Sequence, residues 1–349
     1  MSRLDWRSEA DLTDSNSLRL PSRARVLASA SGRDAVLEAF ERAHALDLPV
    51  FVLGAGFNVV LPPRVEGVVL RLAPASAPEF DRAQLVVDGG CDWDALVRAS
   101  VRAGYWGIEN LAAIPGSVGA APVQNIGAYG AEWADVCVAV EAFDRESGVC
   151  AWRDAASCAF GYRDSLFKRS PERWLITRVE IRLSLSGAPR LDYPTLAHAS
   201  GSASGSASGP GFRTPLEVSE RVAAVRSHRL PDPARKPNAG SFFKNPVLGT
   251  DAWWALRERA PECPGHRQRN GSIKVPAAWL IEAAGWRGRS EGAVGVSEQH
   301  ALVLVHHGGG NGRDVLALAS RVQEAVEARF GVVLEREPVA LGWGDAPLM

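Results

Sequence analysis

An α+β fold is predicted by the order in which helical and strand patterns follow one another along the chain. Residues 34–46 place apolar side chains at helical spacing, and residues 48–62 continue with a buried strand, a glycine turn and a second short strand. An amphipathic helix spans residues 92–104. Near the other end, a strand at 300–307 precedes a last amphipathic helix at 312–331. Because helices and strands are mixed throughout, the chain is expected to form two or three compact α+β units.

The ends of these elements carry local signals. Ser31 is the expected N-cap of the first helix, and Gly104 is the expected C′ residue of the second. Pro276 is expected at the N-terminus of a third helix that ends at Gly285. The segment 200–211 consists of Gly, Ser, Ala and Pro, so a flexible surface loop is expected there.

The composition is that of a globular protein and argues against several classes. Apolar residues make up 46% and charged residues 23%, with a formal net charge of −1, so a nucleic-acid-binding surface is not indicated. The chain shows neither a signal peptide nor the roughly 18 consecutive apolar residues of a membrane span. Its five cysteines are odd in number and form no C-x-x-C pair, which argues against disulfides and zinc. We expect a cytoplasmic monomer that binds neither nucleic acid, membrane nor metal.

Two glycine-rich segments are candidate ligand sites. Residues 54–58, GAGFN, follow a strand, where glycines let backbone N–H groups approach a phosphate. Their spacing is not G-x-G-x-x-G, so a purely structural turn is the alternative. Residues 110–130 are too apolar for an exposed loop and too rich in glycine and proline for a helix. They form either a backbone that lies against a large planar or phosphorylated ligand, or a buried crossover.

Four polar residues are weaker candidates. Arg163 lies in FGYRDSLFK and is either a surface ion-pair partner of Asp164 or a fixed cation for a carboxylate or phosphate. Ser241, in NAGSFFKNP, is either a turn hydroxyl or a group that handles a proton. Glu335 and Glu337 alternate on a predicted terminal strand, where a solvated face is the usual explanation.

Taken together, these segments occur in the order found in one enzyme family: GAGFNVV, ENLAAIPGSVGAAPVQNIGAYG, FGYRDSLFK, LPDP with NAGSFFKNP, and LERE. Through them the chain resembles the UDP-N-acetylenolpyruvoylglucosamine reductases over residues 16–343, in particular the subclass with an extra substrate-covering loop. The resemblance implies a two-lobed FAD-binding domain of the vanillyl-alcohol-oxidase-like class plus a smaller α+β substrate-binding domain. It places FAD-binding lobe 1 at 15–72, lobe 2 at 73–215 joined by 331–349, and the substrate-binding domain at 216–330.

The resemblance also implies a reaction. NADPH reduces FAD, and the enolpyruvyl ether of UDP-N-acetylenolpyruvoylglucosamine is then reduced to the lactyl ether of UDP-N-acetylmuramate, a step of peptidoglycan synthesis. Hydride addition to the vinyl CH2 leaves negative charge beside the carboxylate, which needs fixed donors. By resemblance, Arg163 and Glu337 supply those donors, Glu337 in its protonated form, and Ser241 is the proton donor.

Binding residues follow from the same resemblance. The implied FAD contacts are Gly54, Ala55, Gly56, Phe57, Asn58, Ile114, Pro115, Gly116, Ser117, Gly119, Ala120, Ala121, Gln124, Asn125, Gly127, Ala128 and Tyr129. The implied substrate contacts are Tyr193, Arg226, Arg229, Asn245, His266 and His300. Arg226 and Arg229 are three residues apart and are expected to share a helix face toward the diphosphate. Lys274 is either structural or close to the diphosphate.

The chain departs from the family pattern at a few positions. Phe57 stands where a serine or threonine is usual, and Ser17 where a threonine is usual. Arg229 replaces a lysine, His266 a tyrosine and His300 a glutamine. These changes bear on substrate and cofactor affinity more than on the reaction.

Two other functions are consistent with parts of the sequence. An FAD-dependent oxidase of the same fold would act on another alcohol or sugar and would not need Ser241. A non-catalytic flavin-binding or partner-binding protein would account for Phe57, His266 and His300. The reductase is favoured because Ser241, Arg163 and Glu337 all match the family.

Overall fold

Two compact units make up the chain, and each is assembled from separate pieces of sequence. The computed structural model describes residues 3–74, 76, 78, 80, 83–191, 193, 196 and 212–343, so the predicted loop at 200–211 lies outside the described residues. The first unit comprises Met1–Ser8, Val26–Ala55 and Val68–His228, and the second comprises Glu9–Arg25, Gly56–Gly67 and Arg229–Met349. The three-part domain division expected from the sequence stays a prediction, because this division rests on backbone compactness and assigns no ligand to either unit.

Helices and strands alternate, as predicted for an α+β fold. The strands are β1 (Arg3–Asp11), β2 (Arg23–Ser31), β3 (Val50–Val52), β4 (Val59–Val60), β5 (Arg64–Leu72), β6 (Gln84–Asp88), β7 (Gly127–Ala128), β8 (Ala131–Glu132), β9 (Cys137–Asp144), β10 (Val149–Asp154), β11 (Trp174–Arg182), β12 (Asn238–Ser241), β13 (Val247–Leu248), β14 (His266–Arg267), β15 (Ile273–Lys274), β16 (Ser290–Glu291), β17 (Val294–Val296), β18 (Val303–His306) and β19 (Val339–Ala340). The α-helices are α1 (Arg33–Ala45), α2 (Trp93–Arg102), α3 (Leu166–Arg169), α4 (Pro215–Arg229), α5 (Thr250–Arg259), α6 (Ala277–Ala283) and α7 (Gly312–Phe330). None of the helices in the described ranges is long and apolar enough to cross a membrane.

The first unit contains an antiparallel sheet in the order β10-β9-β11-β6. Helix α2 buries Trp93, Leu96 and Val97 in the core of this unit. Its N-cap is Asp92, whose side chain accepts a hydrogen bond from the Ala95 N–H at 2.6 Å. The predicted helix at 92–104 is therefore confirmed within the usual variation of helix ends.

Helix α1 begins differently from the prediction. Its N-cap is Gly32 at φ +83°, which has no side chain that could cap the helix. Ser31 is instead the last residue of β2. The expected serine cap is wrong because β2 extends through Ser31 and leaves the turn to a glycine, which adopts positive φ at no steric cost.

Asp144, the last residue of β9, is expected to make stability depend on acid pH. Two hydrogen bonds from Arg173, at 3.0 and 2.7 Å, hold the pKa of Asp144 at about 2. Since the ordinary value is about 3.9, the stabilisation is complete above that pH and is lost as pH falls toward 2. Urea unfolding should show that Asp144→Asn is less stable than wild type at neutral pH and that the difference shrinks through this acid range. A difference independent of pH would contradict the assignment.

The second unit is built on an antiparallel sheet in the order β12-β18-β17-β16. Helix α7 buries Val315, Leu318 and Val322 in the apolar core of this unit. Helix α6 begins after Pro276, as expected, and Gly285 follows it at φ +81°. This sheet and its helices hold one end of β12 in place, and the candidate proton donor lies there.

The predicted terminal strand is shorter than expected. Glu335 and Glu337 precede β19, and between them only Arg336 forms a β-bridge, to Phe243, among the described residues. Pairing with β4 starts at Val339, in parallel register with Val59. The sequence pattern predicted a strand near this position. Its extent could not be predicted, because it depends on pairing with β4, which is far away in sequence.

Candidate functional site

The start of the first glycine-rich segment packs against the second inside the first unit. A Cβ built on Gly54 would lie 2.9 Å from Ser117 Oγ and 3.4 Å from Ala120 Cβ. The turn after β3 therefore packs tightly against the middle of the 110–130 segment. Glycine is required at this position because a side chain would displace that segment.

The 110–130 segment has one packed side and one open side. Its N–H groups at Val118 and Gly119 donate to the carbonyls of Cys91 and Gly89, each at 2.8 Å. Gly116 has φ +148°, and no described atom lies within 4 Å of the position that a Cβ would occupy. The buried-crossover interpretation therefore holds for the packed side, while Gly116 leaves backbone accessible on the other.

Arg163 is held by tertiary contacts. The carbonyls and N–H groups of Gly161 and Asp164 pair across a tight turn, and Arg163 sits in it at φ +52°. Its Nη2 donates to the Gly127 carbonyl at 2.7 Å, in the strand β7 of the glycine-rich segment. Asp164, the neighbour that a surface ion pair would use, pairs with Arg169. The arrangement favours the fixed-cation interpretation.

A second cation lies near Arg163 in the first unit. Arg226, on α4, donates from Nε to the Ala113 carbonyl at 3.2 Å. Burial lowers the pKa of Arg226 from its ordinary value; nearby Tyr129 opposes this effect and Arg163 adds to it. The ring of Tyr129 meets that of Tyr193 edge-on, with centroids 5.4 Å apart. The structure thus brings together two predicted substrate residues, Arg226 and Tyr193, with Tyr129 and Arg163.

Ser241 and Glu337 are neighbours in the second unit. Ser241 ends β12, and the next residue, Phe242, donates its N–H to the Leu302 carbonyl at 2.7 Å. The Phe242 carbonyl accepts a 2.9 Å hydrogen bond from the Glu337 N–H. Phe242 and Phe243 are 0% and 1% exposed, so both anchor the strand in the core. Backbone hydrogen bonding therefore places the predicted proton donor and the predicted acid on adjacent segments of the chain.

Gly56 and Asn58, in the second half of the GAGFN turn, are hydrogen-bonded to the segments around Ser241 and Glu337. The Ser17 N–H donates to the Gly56 carbonyl at 3.0 Å, and the Ser17 carbonyl accepts from the Asn238 N–H at 3.1 Å. Asn58 Nδ2 donates to the Glu337 carbonyl at 3.3 Å. The Ser17 hydroxyl oxygen is buried, and no described atom hydrogen-bonds to it. The turn thus positions both strand β12 and Glu337.

His300 lies in a cluster of positive charge. Burial lowers the pKa of His300, and Arg229 and Arg287 lower it further. Its Nδ1 accepts a hydrogen bond from the Leu302 N–H at 3.2 Å, so the proton of the neutral ring is on Nε2. Arg287 was not singled out from the sequence, since nothing local distinguishes it from the other surface arginines.

The remaining predicted substrate residues have structural contacts. Asn245 Oδ1 accepts from the Ala277 N–H at 2.9 Å, which supplies the cap that Pro276 cannot give α6. His266 is exposed on β14, opposite Lys274 in the small sheet β13-β15-β14. A role for either side chain toward substrate stays a prediction.

Two buried polar residues around the glycine-rich segment organise it. Asn110 donates from Nδ2 to the Tyr129 carbonyl at 2.8 Å and to the Arg190 carbonyl at 2.9 Å. Asn125 uses both hydrogens of its side-chain amide inside the protein, so any contact with a cofactor falls to its oxygen or backbone. A buried amide within an apolar segment is the sequence signal that marks such residues.

Comparison with known proteins places the chain in a family. It is 43% identical over 339 residues to the UDP-N-acetylenolpyruvoylglucosamine reductase of Pseudomonas aeruginosa, covering 96% of this chain and 98% of that one. The chain belongs to the UDP-N-acetylenolpyruvoylglucosamine reductase family. The corresponding reductase of Azoarcus sp. is 45% identical, with 95% of this chain and 96% of that one covered.

Family models and a solved structure agree with this placement. Residues 232–341 match the C-terminal domain model of UDP-N-acetylenolpyruvoylglucosamine reductase, and residues 24–152 match an FAD binding domain. The crystal structure of the reductase from Thermus caldophilus aligns over 97% of this chain and 100% of its own, with a TM-score of 0.67 and 26% identity. The predicted α+β fold with a vanillyl-alcohol-oxidase-like FAD-binding domain is confirmed. As a member of this reductase family, the protein is an oxidoreductase.

Proposed function

We propose that this protein reduces UDP-N-acetylenolpyruvoylglucosamine to UDP-N-acetylmuramate with NADPH as reductant, a step of peptidoglycan precursor synthesis in the cytoplasm. Family membership over nearly the whole chain supports the substrate class. The observation that carries the reaction is the placement of Ser241 beside the backbone of Glu337 in the second unit.

The residues present fit an FAD cofactor in each unit taken separately. In the first unit, Gly54 packs against Ser117, while no described atom lies within 4 Å of the Cβ position on Gly116, so backbone of the 114–129 segment is accessible there. In the second unit, the buried Ser17 hydroxyl beside Gly56 has no hydrogen-bond partner among the residues that the structure describes, which suits a cofactor oxygen. FAD, once bound, supplies hydride transfer from NADPH to the vinyl CH2 of the substrate.

The protein's own residues handle the charge and the proton. When hydride adds to the CH2 carbon, the C=C electron pair moves onto the carbon beside the carboxylate and is shared with its oxygens. Arg163 and protonated Glu337 donate hydrogen bonds to those oxygens and stabilise the enolate. Ser241 then gives its hydroxyl proton to the carbon, which completes the lactyl ether, and the serine regains a proton from solvent. One hydride and one proton are consumed for each C=C bond reduced.

Candidate contacts to the sugar nucleotide are cationic or aromatic, as a diphosphate and a uridine require. Arg226, Tyr193, Arg229 and His300 are the residues proposed to bind the substrate. The neutral His300 ring offers its Nε2 proton as a donor, which replaces the amide that is usual in the family.

The test is anaerobic spectroscopy of the purified protein. We expect a yellow protein that NADPH bleaches, and that UDP-N-acetylenolpyruvoylglucosamine returns to the oxidised spectrum without oxygen. Recovery only with oxygen would exclude the reductase and favour an oxidase. A protein that stays colourless after incubation with FAD would favour a non-catalytic role.

A further inference from the structure

Arg163 has an unfavourable backbone conformation that contacts with the surrounding residues must stabilise. At φ +52° it lies in the left-handed region, which non-glycine residues rarely adopt. The two hydrogen bonds between Gly161 and Asp164, at 2.9 and 3.2 Å, close the turn but do not orient it in the unit. Other contacts must hold this turn in place relative to β7, whose Gly127 carbonyl accepts a hydrogen bond from the Arg163 guanidinium.

Asn125 makes one such connection, next to that of the Ser165 hydroxyl, which donates to the Val123 carbonyl at 2.6 Å. Asn125 is 1% exposed, and its Nδ2 donates to the Gly161 carbonyl at 2.9 Å and to Glu132 Oε2 at 2.9 Å. Its Oδ1 accepts a hydrogen bond from the Ala134 N–H at 2.9 Å. A single buried amide therefore joins the turn that carries Arg163 to the hairpin formed by β7 and β8.

The same hairpin receives the other end of Arg163. Gly127 in β7 pairs with Glu132 in β8, and the Gly127 carbonyl accepts from Arg163 Nη2 at 2.7 Å. A Cβ on Gly127 would lie 3.1 Å from Arg163 Nη1 and 3.0 Å from Glu132 Cγ. Asn125 is thus bonded to the start of the Arg163 turn and to the partner strand of the residue that the guanidinium contacts.

We propose that Asn125 is a positioning residue for Arg163, setting the direction of its guanidinium through the Gly161 carbonyl and the Glu132 carboxylate. This inference rests on the proposed function, in which Arg163 stabilises the enolate. It assigns to the two N–H groups of the Asn125 side chain a task within the protein.

Asn125→Asp, compared with a double variant that adds Glu132→Gln, distinguishes positioning of Arg163 from stabilisation of the β7–β8 hairpin. Aspartate keeps an oxygen for the Ala134 N–H but turns a carboxylate toward the Gly161 carbonyl and the Glu132 carboxylate. Adding Glu132→Gln restores a hydrogen bond between positions 125 and 132 and removes the charge repulsion. It leaves the Gly161 carbonyl without its side-chain donor, and of the described donors only the Asp164 N–H at 3.2 Å remains.

Stopped-flow absorbance of the FAD-loaded enzyme should therefore show different effects on the two half-reactions, reduction and reoxidation of the flavin. In both Asn125→Asp and the double variant, we expect reoxidation by UDP-N-acetylenolpyruvoylglucosamine to slow about a hundredfold, as for a small misplacement of a catalytic group. Reduction by NADPH is expected to slow far less than reoxidation, because the enolate that Arg163 stabilises forms only in the second half-reaction. The double variant should regain most of the urea stability lost in the single one.

Recovery of both stability and reoxidation rate in the double variant would show that Asn125 only stabilises the hairpin, and would overturn the proposal. Equal slowing of both half-reactions, or wild-type reoxidation in Asn125→Asp, would overturn it as well. Failure of the wild-type enzyme to reoxidise with this substrate would instead refute the proposed function, and the inference with it. Crystals of the double variant should show the Arg163 Nη2 to Gly127 carbonyl hydrogen bond broken.

Discussion

Ser241→Ala is expected to slow reoxidation of the reduced enzyme by UDP-N-acetylenolpyruvoylglucosamine by about 10²- to 10⁴-fold, the range that a general acid contributes. The substitution removes one hydroxyl at the end of β12, while buried Phe242 and Phe243 still hold the strand. Reduction by NADPH needs no proton from Ser241 and should keep its rate. Single-turnover flavin absorbance under anaerobic conditions measures the two half-reactions separately.

A matched serine provides the control for this result. Ser290 belongs to the same unit and is exposed, with its Oγ 3.2 Å from His307 Nε2, so Ser290→Ala should react as wild type does. Wild-type reoxidation by Ser241→Ala would show that another group supplies the proton. Slowing of both half-reactions would point to a disturbed fold or flavin site.

Glu337→Ala is expected to lower kcat by about 10²- to 10³-fold, which is the usual cost of removing one preorganised donor to an oxyanion. The main chain should stay in place, because the Glu337 N–H and carbonyl are bonded to Phe242 and Asn58 whatever the side chain is. Glu337→Gln keeps an N–H donor and should lose less than about tenfold. Steady-state kinetics with saturating NADPH measure these changes.

Glu335→Gln is the control that distinguishes the loss of the Glu337 donor from a general loss of negative charge. Glu335 lies two residues earlier, is exposed and pairs with Lys244, so Glu335→Gln should change kcat little, as for other surface ion pairs. If Glu337→Gln lost as much activity as Glu337→Ala, the carboxylate would be acting in its ionised form. That outcome would exclude the donor role.

Helix α2 shows how much of the fold the local sequence decides. Asp92 caps its first turn through the Ala95 N–H, and Gly104 follows its end at φ +83°. Both signals act within a few residues, so the helix could be placed from its pattern alone. The glycine turn at 54–58 and the short strands β3 and β4 on either side of it were predicted for the same reason.

Ser31 and Arg163 show where local reasoning stops. Ser31 has the chemistry of an N-cap, but strand pairing incorporates it into β2. Arg163 is next to a carboxylate in sequence, yet it bonds to Gly127, 36 positions away. In both cases the outcome depends on which distant segment is adjacent, and the motif could be identified from the sequence while its contacts could not.

The pairing of β4 with β19 has a consequence for how the protein is made. Asn58 and Glu337, which this pairing joins, are 279 positions apart, so a nascent chain cannot complete the second unit until the last strand has left the ribosome. Translation proceeds at roughly 5–20 residues per second. Leu18, Leu20 and Val60 are therefore synthesised long before most of the residues that bury them in the core of the second unit. During that interval these apolar side chains are available to chaperones or to misassembly. Strand β12, which carries the proposed proton donor, therefore belongs to a unit that is completed only at the end of synthesis.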